Sequence, residues 1–390
     1  MPVTCWRLSS ISPGYRPDFC DDSSDHEVGV SKLIRIRRGT VKKIVNRSRG
    51  VTEILVEVED KIDKALNYDF MTGPVDIGNT VSLNTTAIYK GLGSGGYHFV
   101  MANLDGPEMD TAEMGHIMKL RYTPSQVNVF SVEEELHPCR AKVMNFTSLK
   151  KTPVIVGTLH SMLAPAAAGV KKGSSGRLRV AYVMTDRAAL PIQMSRTVAE
   201  LTDKGLIDAT VTVGHAFGGD FEAVNIYTGL IAAKEAAEAD VIIVTMGPGI
   251  VGTGTKYGFT GIEQGEIINA VNILGGKPIA IPRISFVDPR ERHTGISHHT
   301  LTVLKKIAIT PCVVPLPRMD AIKENYINQQ LRKSGIIDHE IVLEDGDPAL
   351  LYLMGKNIVV TTMGRNMSQD KEYFLAAGAA GVLASKYVVY

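Results

Sequence analysis

The chain has 390 residues, 44% hydrophobic and 21% charged, with 42 Lys plus Arg against 41 Asp plus Glu. That length allows two or three domains with at least one sizeable core. A net charge of +1 excludes a global pull toward nucleic acid or anionic membrane, and apolar runs such as Val241–Val244 are too short to cross a bilayer.

The N-terminus lacks the charged start and apolar stretch of a signal peptide. Cys5, Cys20, Cys139 and Cys312 are scattered, with no metal or redox spacing. Both features predict a cytoplasmic, reducing setting. Residues 1–31 have no period of 2 or 3.6 and end near the acidic run Asp21 to Asp25, which predicts a disordered N-terminal extension.

From Lys32 the pattern becomes short alternating strands. Ile34 and Ile36 alternate with Arg35 and Arg37, and Ile54, Val56 and Val58 alternate with Leu55 and Glu57. Further strands are expected near Tyr68, over Thr80–Thr86 and over His98–Asn103, divided by Gly, Asp and Asn turns. Five such strands predict a small β-barrel-like domain over residues 32–125. A link over 126–150 precedes the remainder.

Residues 151–390 alternate strand, loop and helix. Strands are predicted at Val154–Val156, Leu178–Met184, Ala209–Val213, Val241–Thr245, Pro278–Pro282, Cys312–Pro315, Glu340–Leu343 and Ile358–Thr362. Helices fall between them, including Pro191–Lys204, Glu222–Ala239, Ile262–Ile273 and His299–Ile307. Strands apolar throughout fit a sheet covered by helices on both faces. The predicted class is therefore α/β, a doubly wound, mostly parallel sheet preceded by the barrel.

Such sheets bind ligands outside the carboxyl ends of their strands, and the chemistry-capable residues lie there. His160 and Ser161 follow the first strand, Asp186 and Arg187 the second, His215 and Asp220 the third. A glycine loop from Gly247 to Thr255 follows the fourth, and Asp288 to His299 follow the fifth. His215 with Asp220, or His160 with Asp186, suits a general base oriented by a carboxylate. Ser161 and Ser297 are candidate nucleophiles, although the G-x-S-x-G elbow is absent.

The glycine loop spells G-x-G-x-x-G, but it follows the fourth strand, carries proline second, and stands about a dozen residues before the next helix. It reads instead as a backbone nest in which Gly247, Gly249, Gly252 and Gly254 let amides approach an anion, aided by that helix's dipole. Arg283, Arg290 and Arg292 add forked donors. The bland alternatives are a connecting loop and surface arginines paired to nearby acids. His293, His298 and His299, joined by His215, Asp220 and Glu222, suit a divalent zinc, manganese or iron ion; helix-start and hydrogen-bonded loop histidines are the alternative.

The first barrel strand and its turn hold eight Lys or Arg and no acid over Lys32–Arg49. The next strand brings Glu53, Glu57, Glu59 and Asp60 as cross-strand partners, and interleaved aromatics are missing. Nucleic acid is therefore not an expected partner.

The segments Gly115–Pro124, Leu159–Pro165, Thr212–Asn225, Met246–Glu266 and Arg292–Thr300 together resemble an uncharacterised bacterial protein family, one of the domains of unknown function. The resemblance covers nearly everything after Lys32 and brings no established activity. The residues themselves predict an enzyme or enzyme-like protein that binds a small anionic, phosphorylated or nucleotide-like ligand at the strand edge. Metal-dependent hydrolysis and a non-enzymatic metabolite sensor or assembly module are the alternatives. No membrane association is expected, and a homo-oligomer is compatible with the sequence.

Overall fold

A computed structural model of the chain describes residues 33–112 and 114–388; the expected N-terminal extension lies outside them. Five strands open the fold: β1 (Ile36–Ser48), β2 (Val51–Val58), β3 (Lys61–Tyr68), β4 (Thr80–Asn84) and β5 (His98–Asn103). They close in the order β1-β2-β3-β5-β4. Only β3 and β5 pair in parallel. Closure depends on β1, whose Ile36–Thr40 portion pairs with β4 and whose Thr40–Ser48 portion pairs with β2. Two register shifts, between Val41 and Lys43 and between Ile44 and Asn46, supply the bend that one long strand needs to serve two partners. The inward set, including Val41, Ile54, Val56, Val81 and Leu83, is fully buried.

About half of the basic run at β1 is paired with acids of the barrel. Arg35 and Arg37 bind Glu59, Lys42 binds Glu57, and Arg47 binds Asp76.

A hairpin follows, β6 (Ile117–Lys119) with β7 (Val127–Val129). The large sheet then takes β8 (Pro153–Val156), β9 (Val180–Thr185), β10 (Ala209–Val213), β11 (Phe221–Ala223), β12 (Val241–Met246) and β13 (Lys277–Ala280). A two-residue pair, β14 (Ile284–Ser285) and β15 (Gly295–Ile296), stands apart. Two further strands, β16 (Val313–Pro317) and β17 (Glu340–Glu344), complete the sheet. Its order is β11-β10-β9-β12-β8-β13-β16-β17, and every pairing is parallel.

Alternation on β8 divides the core. Ile155 packs on one face with the helices Leu163–Gly173, Asp347–Gly355 and Lys371–Tyr387. Val154 and Val156 pack on the other with Ile226–Ile231 and Glu263–Ile273. The helix after β8 thus covers one face while the helix after β12 covers the other. Because β8 and β12 are neighbours, the chain diverges between their carboxyl ends and leaves a crevice there.

Some local expectations change. The helix predicted from Pro191 begins at Arg196, with Pro191 extended and Ser195 as its N-cap. Glu222 belongs to β11, and the helix expected there starts at Ile226 behind the Asn225 cap. Of Ile358–Thr362, only Thr361–Thr362 is a strand, paired with Arg365–Asn366 outside the main sheet. Val359 is 82% exposed between buried Ile358 and Val360, a one-sided pattern unsuited to a strand covered on both faces. The segment 126–150 is built into the α/β body, since Val132 and Leu149 are fully buried in its core. Buried Lys119 of the hairpin reaches Glu222 at 2.6 Å and the carbonyls of Thr212 and Ala216, clamping β6 to the sheet edge.

The helices Leu163–Gly173 and Lys371–Tyr387 touch through glycine. A Cβ on Gly381 would lie 2.0 Å from the Ala166 carbonyl oxygen, and one on Gly169 2.4 Å from that of Gly378. Overpacking a rigid backbone contact costs at least about 1–3 kcal/mol. Gly381→Val should lower the urea midpoint accordingly. Gly355→Ala, where a Cβ meets nothing within 4 Å, should leave it unchanged or raise it slightly.

Candidate functional site

The crevice between β8 and β12 is the floor of a cavity of about 790 Å³, roofed by the barrel. His160, Ser161 and Leu159 enter it from the loop after β8, and Pro248, Gly249 and Ile250 from the loop after β12. Gln193 to Thr197 form one wall, and Val359 to Met363 also line it. From the barrel come Arg49, Val51, Glu53, Leu66 and Tyr97. The two bodies meet around this space. Arg196 donates to Glu53 at 2.5 Å, Arg49 pairs with Asp203, Tyr68 reaches Met194 Sδ at 3.3 Å, and Phe70 meets Phe217 edge-on.

His160 is held at both ring nitrogens. Its Nε2 lies 2.6 Å from Ser195 Oγ, and its Nδ1 lies 3.2 Å from the Met246 carbonyl oxygen. A carbonyl can only accept, so the proton sits on Nδ1 and Nε2 accepts from the Ser195 hydroxyl. The Tyr182 hydroxyl stands 3.3 Å from Nδ1, with the Thr245 and Met246 carbonyls also in reach as its acceptors. Burial lowers the imidazole to about 4 from its ordinary 6.5. Ser195 is fixed as an N-cap, accepting from Val198 N at 3.0 Å, and is 3% exposed. Beside it, Ser161 Oγ lies 2.6 Å from the Tyr373 hydroxyl and 3.2 Å from Thr362 Oγ1, a set with no base for activating Ser161.

Neither expected His–carboxylate pair forms. Asp186 accepts from the His215 backbone N at 3.0 Å, leaving the His160 ring to Ser195 and Met246. His215 Nδ1 accepts from Leu120 N at 3.0 Å, and exposed Asp220 accepts from Thr210 N and Oγ1. Glu222, engaged by Lys119, and Asp220 are likewise not gathered with the histidines of the later loop. The reason is lateral. The carboxyl ends of β10 and β13 are separated by β9, β12 and β8, so one edge does not make one site.

Glycine is required in the loop after β12. A Cβ on Gly247 would lie 2.6 Å from the Ala189 carbonyl oxygen, and Gly249 has φ +111°. Gly252 pairs with Phe259, while Val251 and Thr253 amides are held by Thr260 Oγ1 and the Gly258 carbonyl. Much of the expected nest is therefore satisfied within the loop. The following helix opens with Glu263 and Glu266 in its first turn, which disfavours an anion at that terminus. Glu263, unnoticed in the sequence, is buried against Thr185 Oγ1 at 2.8 Å, and burial raises its carboxyl to about 7.

Arg290 makes two bonds to Asp288, each 2.9 Å, and Arg283 adds a third at 3.0 Å; Arg290 is engaged, as the surface-pair alternative supposed, with Asp288 as its acid. Arg292 is exposed and makes no ion pair among the described residues; it lies against Gly254. His293, His298 and His299 do converge, each offering a ligand atom within 4.8 Å of the others. Burial, followed by neighbouring charges, lowers His293 to about 4 and His299 to about 3.

A family model described as a protein of unknown function (DUF3866) matches residues 64–381. The chain belongs to this DUF3866 family. The match runs from within β3 to the last helix, so the family region takes in part of the barrel, the cavity's sheet edge and the histidine cluster. No curated protein matches the chain.

The unfolded His160 imidazole gains a proton near 6.5 and the folded one near 4. Between these values the unfolded chain binds more protons, so stability falls as pH falls through that window. Two-bond 1H–15N spectra should show a neutral ring protonated at Nδ1 through the upper part of it. The melting-temperature deficit of His160→Gln relative to wild type should shrink on acidification across the same range. A ring protonated only at Nε2, or an equal deficit at both ends, would contradict the assignment.

Proposed function

We propose that this protein is an enzyme acting on a small molecule held between the barrel and the sheet edge, with Ser195 as nucleophile and His160 as its general base. The observation that carries this reading is the 2.6 Å contact of Ser195 Oγ with His160 Nε2, backed by the carbonyl of Met246 at Nδ1. That is the nucleophile, base and orienter relation of covalent catalysis, with a backbone carbonyl in the orienting position.

In such a step Ser195 Oγ bonds to an electrophilic carbon or phosphorus as its proton passes to Nε2. The bond to the leaving group then breaks, and His160 returns the proton to it. Water releases the product by the reverse relay. Ser195 caps the helix Arg196–Asp203, whose opening Arg196 and Thr197 amides lack intrahelical partners and favour a developing oxyanion. A His160 basicity near 4 keeps the base neutral at physiological pH, at the cost of proton-accepting strength.

The ligand class follows from the lining, whose charged members are Arg49 and Arg196 against Glu53. Arg49 and Arg196 are each paired, with Asp203 and Glu53, but such partly exposed pairs hold weakly, so a substrate's carboxylate or phosphate can compete for either forked guanidinium. This retains the anionic ligand expected from the sequence while moving its binding groups away from Arg290 and the glycine nest.

A second reading keeps the ligand and drops the chemistry. Because both bodies wall the cavity and meet through partly exposed ion pairs, a bound metabolite would lock the barrel onto the sheet, as a sensor requires. One experiment separates the two. The full chain is treated with a fluorophosphonate and its peptides are mapped by mass spectrometry. An enzyme should form an adduct at Ser195 that is lost in Ser195→Ala and slowed about 10²–10⁴-fold in His160→Gln. No adduct at Ser195 in folded protein, or an equal rate in His160→Gln, would overturn the nucleophile assignment.

A further inference from the structure

The histidine cluster lies apart from the cavity's lining and needs its own account. His293 ends a short turn, Gly295–Ile296 form β15, and His298 opens the helix His298–Thr302. This tight reversal folds three side chains, five and one residues apart in sequence, onto one point. Ring centroids are 5.0 Å apart for His293–His298, 5.1 Å for His293–His299 and 4.2 Å for His298–His299.

We propose that His293, His298 and His299 bind one divalent transition-metal ion, and that its fourth ligand is an anion. Three observations support the site independently of the serine chemistry. One ring nitrogen from each residue falls within 4.8 Å of the other two. Zinc–nitrogen bonds near about 2.0–2.1 Å place tetrahedral ligands about 3.4 Å apart, a contraction that side-chain rotation supplies. Next, His298 Nε2 is buried and meets no hydrogen-bond partner among the described residues. An imidazole nitrogen enclosed without a partner is costly in a metal-free core, and a metal ion satisfies it.

The supporting shell is the third observation. His293 Nδ1 is held by Ser297 Oγ at 2.7 Å, which leaves its Nε2 to face the cluster. The His299 ring stacks on Phe259 at 3.9 Å and 7°, fixing its plane. An all-imidazole set suits zinc, cobalt, nickel or copper and disfavours magnesium or calcium.

The surroundings select the remaining ligand. Arg283, Arg290 and Arg365 share the carboxylates of Asp288 and Asp370, an excess of one positive charge, and exposed Arg292 adds another beside Gly254. A dication among these arginines favours an anionic fourth ligand, such as a carboxylate or phosphate. Three protein ligands leave that position open. The ion would then polarise the anion's oxygen as a Lewis acid.

The test uses the full chain stripped with a chelator, dialysed, and titrated with Zn²⁺ and Co²⁺. Wild type should retain about one equivalent, show intense visible bands with Co²⁺, and melt at a higher temperature with metal than without. His298→Ala removes a half-buried ligand, so the apo protein should still fold while metal affinity falls more than about 100-fold. Ser297→Ala should weaken it by about 10–100-fold. Inorganic phosphate should alter the Co²⁺ spectrum of wild type and not of metal-loaded Arg292→Ala. Less than about a tenth of an equivalent retained by wild type, or equal affinity in His298→Ala, would overturn the site. A Co²⁺ spectrum indifferent to phosphate and other anions would overturn the anionic fourth ligand alone.

Discussion

The parallel direction of the eight-stranded sheet is the constraint on which the rest depends. Strands running one way send every outgoing loop to one edge, so residues from five separate segments share a rim. A parallel sheet needs a helical crossover for each return. Where successive crossovers choose opposite faces, the loops part and a crevice opens. Here that point falls between β8 and β12, and His160 and Gly249 both line the cavity above it.

The barrel roofs that crevice and deepens it into a cavity still open to solvent. Its contribution is modest in number: Glu53 with Arg196, Arg49 with Asp203, Tyr68 against Met194 and Phe70 against Phe217. Partly exposed ion pairs of this kind contribute little each. The hairpin β6–β7 is secured differently, by buried Lys119 and Glu222. Burial lowers the lysine and raises the glutamate, so the pair holds position at a desolvation cost that isolated stability does not require.

Electrostatics separates two neighbourhoods along the rim. Around His160 the direct partners are uncharged: a tyrosine, a serine and a backbone carbonyl. Around His293, His298 and His299 the field is positive, since arginines outnumber the carboxylates they share. The glycine loop is the wall between them. Gly249 lines the cavity on one side, while Gly252 and Gly254 rest against His299 and Arg292 on the other. A side chain at Gly247 would collide with the Ala189 carbonyl, so the loop's course through this gap depends on glycine.

Much of the fold was legible in the chain because period and apolar runs report burial directly. Val241 to Val244, apolar throughout and short, fits a strand covered on both faces, and the alternation of Ile54, Val56 and Val58 fits a one-sided strand. The rim residues were legible for the same reason: strand ends mark where loops must emerge. Which rim residues touch was decided by strand order, which depends on crossover directions that local sequence does not encode. Thus His215 and Asp220, close in sequence, turn to separate partners, whereas Ser195 reaches His160 across 35 positions. Ser195 was hidden because Pro191 looked like a helix start; the helix begins only after Ser195, whose hydroxyl caps it. The compact spacing of His293, His298 and His299 lay in the sequence, but their convergence required the reversal at β15 and the packing of Phe259, contacts that exist only once the tertiary structure has formed.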